Sequence, residues 1–94
     1  MSVEPIHIIH SSKIFGGTNE SISVYKDRLI IYKPNQQGNK TEELYYSQIA
    51  DVYLFRGLLY VTLSFRTHSG YSLMVRWLPK RRAIRVADYV RQHI

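Results

Sequence analysis

The sequence contains no cysteine among its 94 residues. This absence excludes a disulfide framework, a thiolate zinc site, an iron–sulfur cluster and a cysteine nucleophile. A secreted domain of this size usually depends on disulfides for its stability. We therefore expect a cytoplasmic protein.

Long apolar runs are also missing. No segment approaches the length of about 18 apolar residues that a membrane-spanning helix requires, and the first five residues, MSVEP, match no targeting or lipidation signal. Hydrophobic residues make up 45% of the chain and aromatic residues 13%, which excludes a disordered chain. Because 94 residues have room for one core, we expect a single soluble domain over residues 1–94.

Acidic residues are few, with 7 against 13 lysines and arginines, and the formal net charge is +6. Residues 1–50 hold five bases and five acids, so the whole excess follows Ala50, where eight bases face only Asp51 and Asp88. The eight bases are Arg56, Arg66, Arg76, Lys80, Arg81, Arg82, Arg85 and Arg91. Such an excess favours nucleic acid, an anionic membrane or an acidic protein as partner.

The residue patterns of common catalytic sites are missing as well. Glu42 and Glu43 are adjacent in a predicted strand, so they point to opposite faces and cannot act together as acid and base. His7 and His10 also lie on opposite faces of a predicted strand and have no third ligand nearby. There is no nucleophile elbow, phosphate-binding glycine loop or dinucleotide fingerprint. We therefore predict no enzyme, no metal site and no cofactor.

What the sequence does contain, from residue 6 to residue 77, is the period-two alternation of short strands. Residues 15–20 and the polar residues 34–40 are predicted loops. One face of the clearest strand carries Leu59, Val61, Leu63 and Phe65. After a turn at residues 68–70, the return strand places Tyr71, Leu73, Val75 and Trp77 on one side. These two runs predict an antiparallel hairpin.

After Trp77 the period changes to that of a helix, over residues about 79–94. Its apolar stripe consists of Ala83, Val86, Ala87, Val90 and Ile94. An isolated helix of this length is marginal in water, so the stripe is expected to pack on the β core. The sequence thus predicts about seven strands followed by one C-terminal helix.

This order of elements resembles the pleckstrin-homology-like (PH-like) fold. The run VYKDRLIIY at residues 24–32, a polar loop, and YSQIADV at residues 46–52 are similar to small bacterial PH-like domains. The resemblance covers roughly residues 6–94. It implies a mainly β (α+β) fold, in which a seven-stranded antiparallel bent sheet or partly open barrel is capped by the C-terminal helix. It also implies a non-catalytic binding module.

Eukaryotic PH domains that bind phosphoinositides carry lysines and arginines around the loop between strands one and two. Here the corresponding loop, residues 15–20, contains no base and ends in Glu20. The resemblance therefore does not imply an inositol-phosphate pocket in this chain.

The basic residues at the junction of the last strand and the helix form the candidate binding surface. We assign to this surface Arg76, Lys80, Arg81, Arg82 and Arg85, with Tyr60 and Arg66 from the neighbouring strand. The alternative is a solvated helix face in which Arg85 pairs with Asp88. At about 1 kcal/mol per base, charge alone gives about 4–5 kcal/mol and a dissociation constant near millimolar.

Specific binding therefore needs further contacts, which outward-facing tyrosines are able to supply. The candidates are Tyr25, Tyr45, Tyr53 and Tyr60. We predict a module that binds a protein or peptide, or a second copy of itself, through the face formed by the last strand and the helix. The alternative is weak binding to an anionic surface, either membrane phospholipid or nucleic acid, through the basic cluster.

Overall fold

The alternating segments of the sequence form strands, and the residues after Pro79 form a helix. A computed structural model describes residues 4–11, 19–35 and 38–94. The strands are His7–His10 (β1), Ser21–Val24 (β2), Arg28–Asn35 (β3), Gly38–Tyr45 (β4), Ile49–Arg56 (β5), Tyr60–Thr67 (β6) and Ser72–Pro79 (β7). A 3-10 turn occupies Tyr46–Gln48, and the helix α1 spans Lys80–His93.

The strands form two antiparallel sheets, with the orders β1-β2-β3-β4 and β5-β6-β7. The sheets do not close into one barrel. Within the described residues, seven antiparallel strands and one C-terminal helix confirm the predicted mainly β, PH-like class. One core joins both sheets to α1, because the inward residues of β1 to β7 and the apolar stripe of α1 are buried together.

The loop prediction for residues 34–40 was wrong at residues 34–35 and 38–40, while residues 36 and 37 lie outside the described residues. β3 continues to Asn35 and β4 begins at Gly38, with Pro34 paired to Asn39. Backbone pairing with an antiparallel neighbour therefore extends strands into a polar segment that composition assigned to a loop. Most of the other predicted loop, residues 15–20, and the end of the first apolar run lie outside the described residues.

The helix packs as its periodicity predicts. Ala83, Val86, Ala87 and Val90 are buried against β1, β5, β6 and β7. Ile94, which we had placed in the same stripe, follows the last helical residue and is exposed. Pro79 still has extended geometry and ends β7, so strand and helix meet without a linker.

The β6–β7 pairing contains a one-residue bulge. Leu63 lies opposite Val75 and Val61 lies opposite Leu78, so two steps along β6 match three along β7. Trp77 adopts a φ of +61°, and Leu78 takes the buried position that alternation assigned to Trp77. The prediction that Trp77 shares one side of the strand with Val75 was therefore wrong, because an extra residue reverses the alternation after Val75.

A second error concerns Leu59, which the alternation predicts on the same face of β6 as Val61, Leu63 and Phe65. β6 begins at Tyr60, and Leu59 lies in the preceding turn, where it is exposed. Val61, Leu63 and Phe65 are buried as predicted.

A cluster of aromatic and imidazole rings fastens the end of α1 to the first sheet. Tyr89 stacks on His93 with ring centroids 4.2 Å apart and meets Tyr46 edge-on at 6.1 Å. The Tyr46 hydroxyl donates a hydrogen bond to the Tyr25 carbonyl. Burial raises the pKa of the Tyr46 phenol above its ordinary value, and Tyr89 and Asp27 raise it further.

The raised pKa of Tyr46 predicts a loss of stability in alkali. The folded chain keeps a proton that the unfolded chain releases above a pH of about 10, so the free energy of unfolding falls as the pH rises beyond that value. Tyr46→Phe should cost about 1 kcal/mol near neutrality, from the lost hydrogen bond, and should show a smaller further loss in alkali. Urea denaturation of both proteins below and above pH 10 measures this. Parallel losses in the two proteins would refute the assignment to Tyr46.

Two leucines allow a matched test of the core. Leu63 is buried and Leu58 is 97% exposed. Leu63→Ala should lower the free energy of unfolding by about 2–5 kcal/mol, whereas Leu58→Ala should change it by less than about 0.5 kcal/mol. Urea denaturation at neutral pH compares the two, and a cost at Leu58 similar to that at Leu63 would show that Leu58 has a structural role.

Candidate functional site

The turn between β5 and β6 holds two leucines out in solvent. The Gly57 N–H donates a hydrogen bond to the Tyr60 carbonyl oxygen, 2.9 Å away. A Cβ on residue 57 would lie 2.7 Å from that oxygen, so the turn requires glycine. Within this turn Leu58 is 97% exposed and Leu59 is 70% exposed. Neither side chain therefore gains much from the protein's own core.

The bulge in β7 brings Trp77 to the same end of the sheet. Its indole is 39% exposed and meets the Tyr60 ring nearly edge-on, with centroids 6.2 Å apart. Phe55, near the end of β5, is 55% exposed. These side chains form a continuous surface that we call the aromatic patch, consisting of Phe55, Leu58, Leu59, Tyr60 and Trp77.

The aromatic patch contains two shallow depressions. One, of about 290 Å³, lies between Phe55, Tyr60 and Trp77 and is bordered by the side chains of Arg56 and Arg76. The other, of about 230 Å³, lies between the two leucines of the turn, Tyr60 and Trp77. The two depressions share Gly57, Tyr60 and Trp77. Apolar side chains of a binding partner have the size to fill such spaces.

Most basic residues in the second half of the chain have no acidic partner within the described residues. Both acids that follow Ala50 are engaged, Asp51 with Arg66 and Asp88 with Arg91. Within the described residues, the remaining six bases of this half have no ion-pair partner. They are Arg56, Arg76, Lys80, Arg81, Arg82 and Arg85. These six unpaired bases are equal in number to the net charge of the chain.

The start of α1 adds to the positive potential. Its first turn carries Lys80, Arg81 and Arg82 and no acid, and Pro79 supplies no side-chain cap. Positive charge at the positive end of a helix dipole is unfavourable by about 0.3–1 kcal/mol per residue. The basic residues therefore concentrate at the start of α1, where acidic residues would stabilise the helix.

The predicted binding surface is divided between different parts of the structure. Arg76 and Tyr60 line the larger depression of the aromatic patch, and the pairing of Tyr60 with Pro79 places Lys80 and Arg81 next to it along the chain. Arg66 is engaged with Asp51.

The other two predicted residues, Arg82 and Arg85, border a separate depression of about 280 Å³ beside His7 and β1. They therefore belong to a different surface from Arg76. The alternative pairing of Arg85 with Asp88 is replaced by a contact of 3.8 Å between Asp88 and Arg91. Arg91 also donates to the Val52 carbonyl, 3.1 Å away, which ties α1 to β5.

Sequence reasoning missed the apolar members of the site. Leu59 and Trp77 were predicted only as strand residues, and Phe55 and Leu58 were not assigned to the site. A signal was present for the leucines, because they directly follow the turn glycine Gly57 instead of standing in an alternating run. No such signal was present for Trp77, since its exposure results from the bulge.

Arg28 lies against the rings of two of the predicted outward tyrosines. The Arg28 guanidinium lies 5.7 Å from the Tyr25 ring centroid and 5.6 Å from that of Tyr45. Partial desolvation lowers the pKa of Arg28, but the Tyr45 hydroxyl and nearby carboxylates raise it more, so it lies above its ordinary value. Each of these two rings therefore has one face occupied by a guanidinium, although Tyr45 is exposed, as Tyr53 is.

Among residues 4–11, 19–35 and 38–94, no group of three or more His, Asp or Glu side chains is arranged to hold a metal ion. In the described part of the chain, no helix is both long enough and apolar enough to cross a membrane.

The positive φ of Trp77 predicts an unusual order of stabilities. Glycine normally destabilises a strand relative to alanine, but at φ +61° alanine carries a steric penalty that glycine lacks. We expect Trp77→Gly to be more stable than Trp77→Ala by about 1 kcal/mol. Thermal and urea unfolding of the two variants measure this difference, and greater stability of the alanine variant would contradict the bulge geometry.

Comparison with known proteins agrees with this architecture. The model of the bacterial PH domain family matches residues 1–92, nearly the whole chain. Searches of curated proteins and of solved structures found no match. PH-like domains are in general non-catalytic modules that bind proteins or lipids. Two antiparallel sheets, a C-terminal helix and this match over residues 1–92 together show that the chain belongs to the bacterial PH domain family.

Proposed function

We propose that this PH domain binds a segment of a partner protein on the aromatic patch. The observation that carries the proposal is the exposure of Leu58 and Leu59 beside Trp77, on a turn whose shape Gly57 enforces. Clustered exposed apolar side chains with a polar surround are typical of interaction sites. The candidate surface thus moves from the basic cluster alone to the end of the second sheet.

The composition of the patch supports a protein partner. Tryptophan, tyrosine and arginine are the residues that most often dominate binding energies at protein interfaces. Here Trp77 and Tyr60 stand at the centre, and Arg56 and Arg76 stand at the border. The two depressions provide pockets for side chains, which a protein segment supplies and a uniform charged surface does not.

Apolar contact supplies the part of the binding energy that salt does not weaken. Burying a fully exposed leucine or a similar side chain contributes about 1.5–3 kcal/mol. Because Leu59 is 70% exposed and Trp77 39% exposed, these two side chains and Leu58 together offer roughly 3–6 kcal/mol before the cost of association. The six unpaired basic residues offer about 6 kcal/mol at most, which salt weakens. Binding through the patch should therefore persist at physiological ionic strength.

Nucleic acid is the less favoured alternative. Stacking on single-stranded bases needs free aromatic faces. Arg28 lies over Tyr25 and Tyr45. The Tyr60 ring meets Trp77, and the exposed Tyr53 ring lies 6.5 Å from that of Phe55. Few free ring faces therefore remain for stacking, so binding to nucleic acid would rest mainly on the unpaired basic residues and would weaken steeply with salt.

Site-specific photo-crosslinking tests the proposed surface. A benzophenone amino acid at Leu59 should give a discrete protein adduct in the native cell, because this side chain lies at the proposed interface. The matched control is the same amino acid at Tyr71, which is also exposed but lies in the turn at the other end of β6. Adducts are detected by gel shift and mass spectrometry.

The outcome is decided by comparing the two positions. An adduct at position 59 that is absent at position 71, and that is lost when Leu58→Ser is added, is expected. Equal adducts at both positions, or none at position 59, would overturn the assignment of the patch as the docking surface.

A further inference from the structure

We infer that the segment bound by the aromatic patch is acidic, with aspartate or glutamate side chains flanking its apolar anchors. This inference rests on the proposed function, since it specifies the chemistry of the partner at the same site. The basis is the distribution of paired and unpaired charges over the described residues.

Two unpaired arginines border the patch directly. Arg56 and Arg76 line the same depression as Phe55 and Trp77, and no ion pair engages either of them within the described residues. Lys80 and Arg81 follow β7 at the edge next to Tyr60. If an apolar side chain of the partner segment occupied the depression, the residues flanking it would therefore lie near four unpaired positive charges.

Among the described residues, no acidic side chain lines either depression of the patch. Asp51 and Asp88, the two acids in this half of the chain, are held by Arg66 and Arg91. The first turn of α1 adds its own positive end. Carboxylates of a partner would therefore meet positive potential at this border without competition from the chain's own acids.

A second copy of the chain fits this site poorly. All seven acidic residues are described, and six of them are in ion pairs: Glu20, Asp27, Glu42, Glu43, Asp51 and Asp88. Of the acids, only Glu4 has no ion pair within the described residues. A head-to-tail contact at the patch would offer this one carboxylate to the four unpaired bases at its border.

A two-fold contact through the patch is disfavoured more strongly. In such a contact the same residues face each other, so Arg56 and Arg76 of one copy would approach those of the other. Like charges brought together in an interface are repulsive. The charge distribution therefore favours a different, acidic chain over self-association through this surface.

A lipid bilayer would complement the unpaired positive charges of the patch but not its two depressions. Anionic lipids attract unpaired bases, and exposed leucines enter the membrane interface. However, the side chains of a protein segment can fill the two depressions, of about 290 and 230 Å³, whereas a flat lipid surface does not. We therefore make membrane binding an outcome of the experiment.

Selection from a random peptide library identifies the preferred chemistry without a known partner. Displayed peptides of about 12 residues, which reach roughly 40 Å when extended, are selected on the full chain. In parallel they are selected on Leu58→Ser, Leu59→Ser as a variant with a disrupted patch. Trp77 is the single tryptophan of the chain, so the binding of selected tryptophan-free peptides is followed by its fluorescence.

The outcomes separate the inference from the proposed function. Patch-dependent peptides rich in Asp and Glu around apolar anchors, which shift Trp77 emission to shorter wavelength, are expected. Patch-dependent peptides that are neutral or basic would overturn the inference and leave the docking function standing. Equal enrichment on both proteins, or none, would overturn the docking function as well.

Charge variants test the border residues directly. Arg56→Gln combined with Arg76→Gln should weaken binding of a selected acidic peptide by about 2- to 30-fold, as expected for two exposed ion pairs. The matched control, Arg82→Gln with Arg85→Gln, removes the same charge from the separate depression beside β1. Equal weakening by both pairs would show that only net charge matters and would overturn the inference.

Lipid vesicles test whether the patch binds an anionic membrane instead of a peptide. Vesicles of equal parts phosphatidylcholine and phosphatidylserine should leave Trp77 emission nearly unchanged at about 150 mM salt, where surface charges are screened beyond about 8 Å. A larger blue shift with vesicles than with the selected peptides would overturn the inference in favour of a lipid surface.

Discussion

The extra residue in β7 determines what the second sheet presents at its end. Without the bulge, alternation would place Trp77 in the core and Leu78 outside. With the bulge, Leu78 fills the core and the indole joins Tyr60 on the surface. The bulge requires a φ of +61° at a bulky residue, which costs about 1–2 kcal/mol. Such strain, where it occurs, concentrates at functional sites.

The rest of the fold holds this end of the sheet in place. β7 passes directly into α1 at Pro79, and the buried stripe of α1 packs across the second sheet. Arg91 and the cluster around Tyr89 fix the far end of the helix. The β5–β6 turn is set by the hydrogen bond from Gly57 to Tyr60. The backbone around the aromatic patch is therefore held in place before binding, which limits the conformational entropy lost when a partner binds.

The sequence predicted the fold well and the site only in part. The alternation through Val61, Leu63 and Phe65 and the stripe of α1 led to the correct strands and helix, because burial imposes those periods. The excess charge after Ala50 was also visible. Its division into paired and unpaired bases was not, since the contacts of Asp51 and Asp88 depend on tertiary structure.

The aromatic patch was hidden for a different reason. A one-residue bulge leaves no mark in a pattern of apolar residues when both Trp77 and Leu78 are apolar. Alternation then assigns the wrong one to the core. Leu58 and Leu59 were open to recognition, because a glycine turn normally carries polar residues. Short apolar sequences in a tight turn therefore merit attention as candidate contacts.

The most direct measurement is the pattern of intermolecular nuclear Overhauser effects between the labelled chain and a selected peptide. Docking on the aromatic patch predicts contacts from the peptide's apolar anchors to the Trp77 indole and to the methyl groups of Leu58 and Leu59. Contacts to the surface bordered by Arg82 and Arg85, with none to Trp77, would contradict the account.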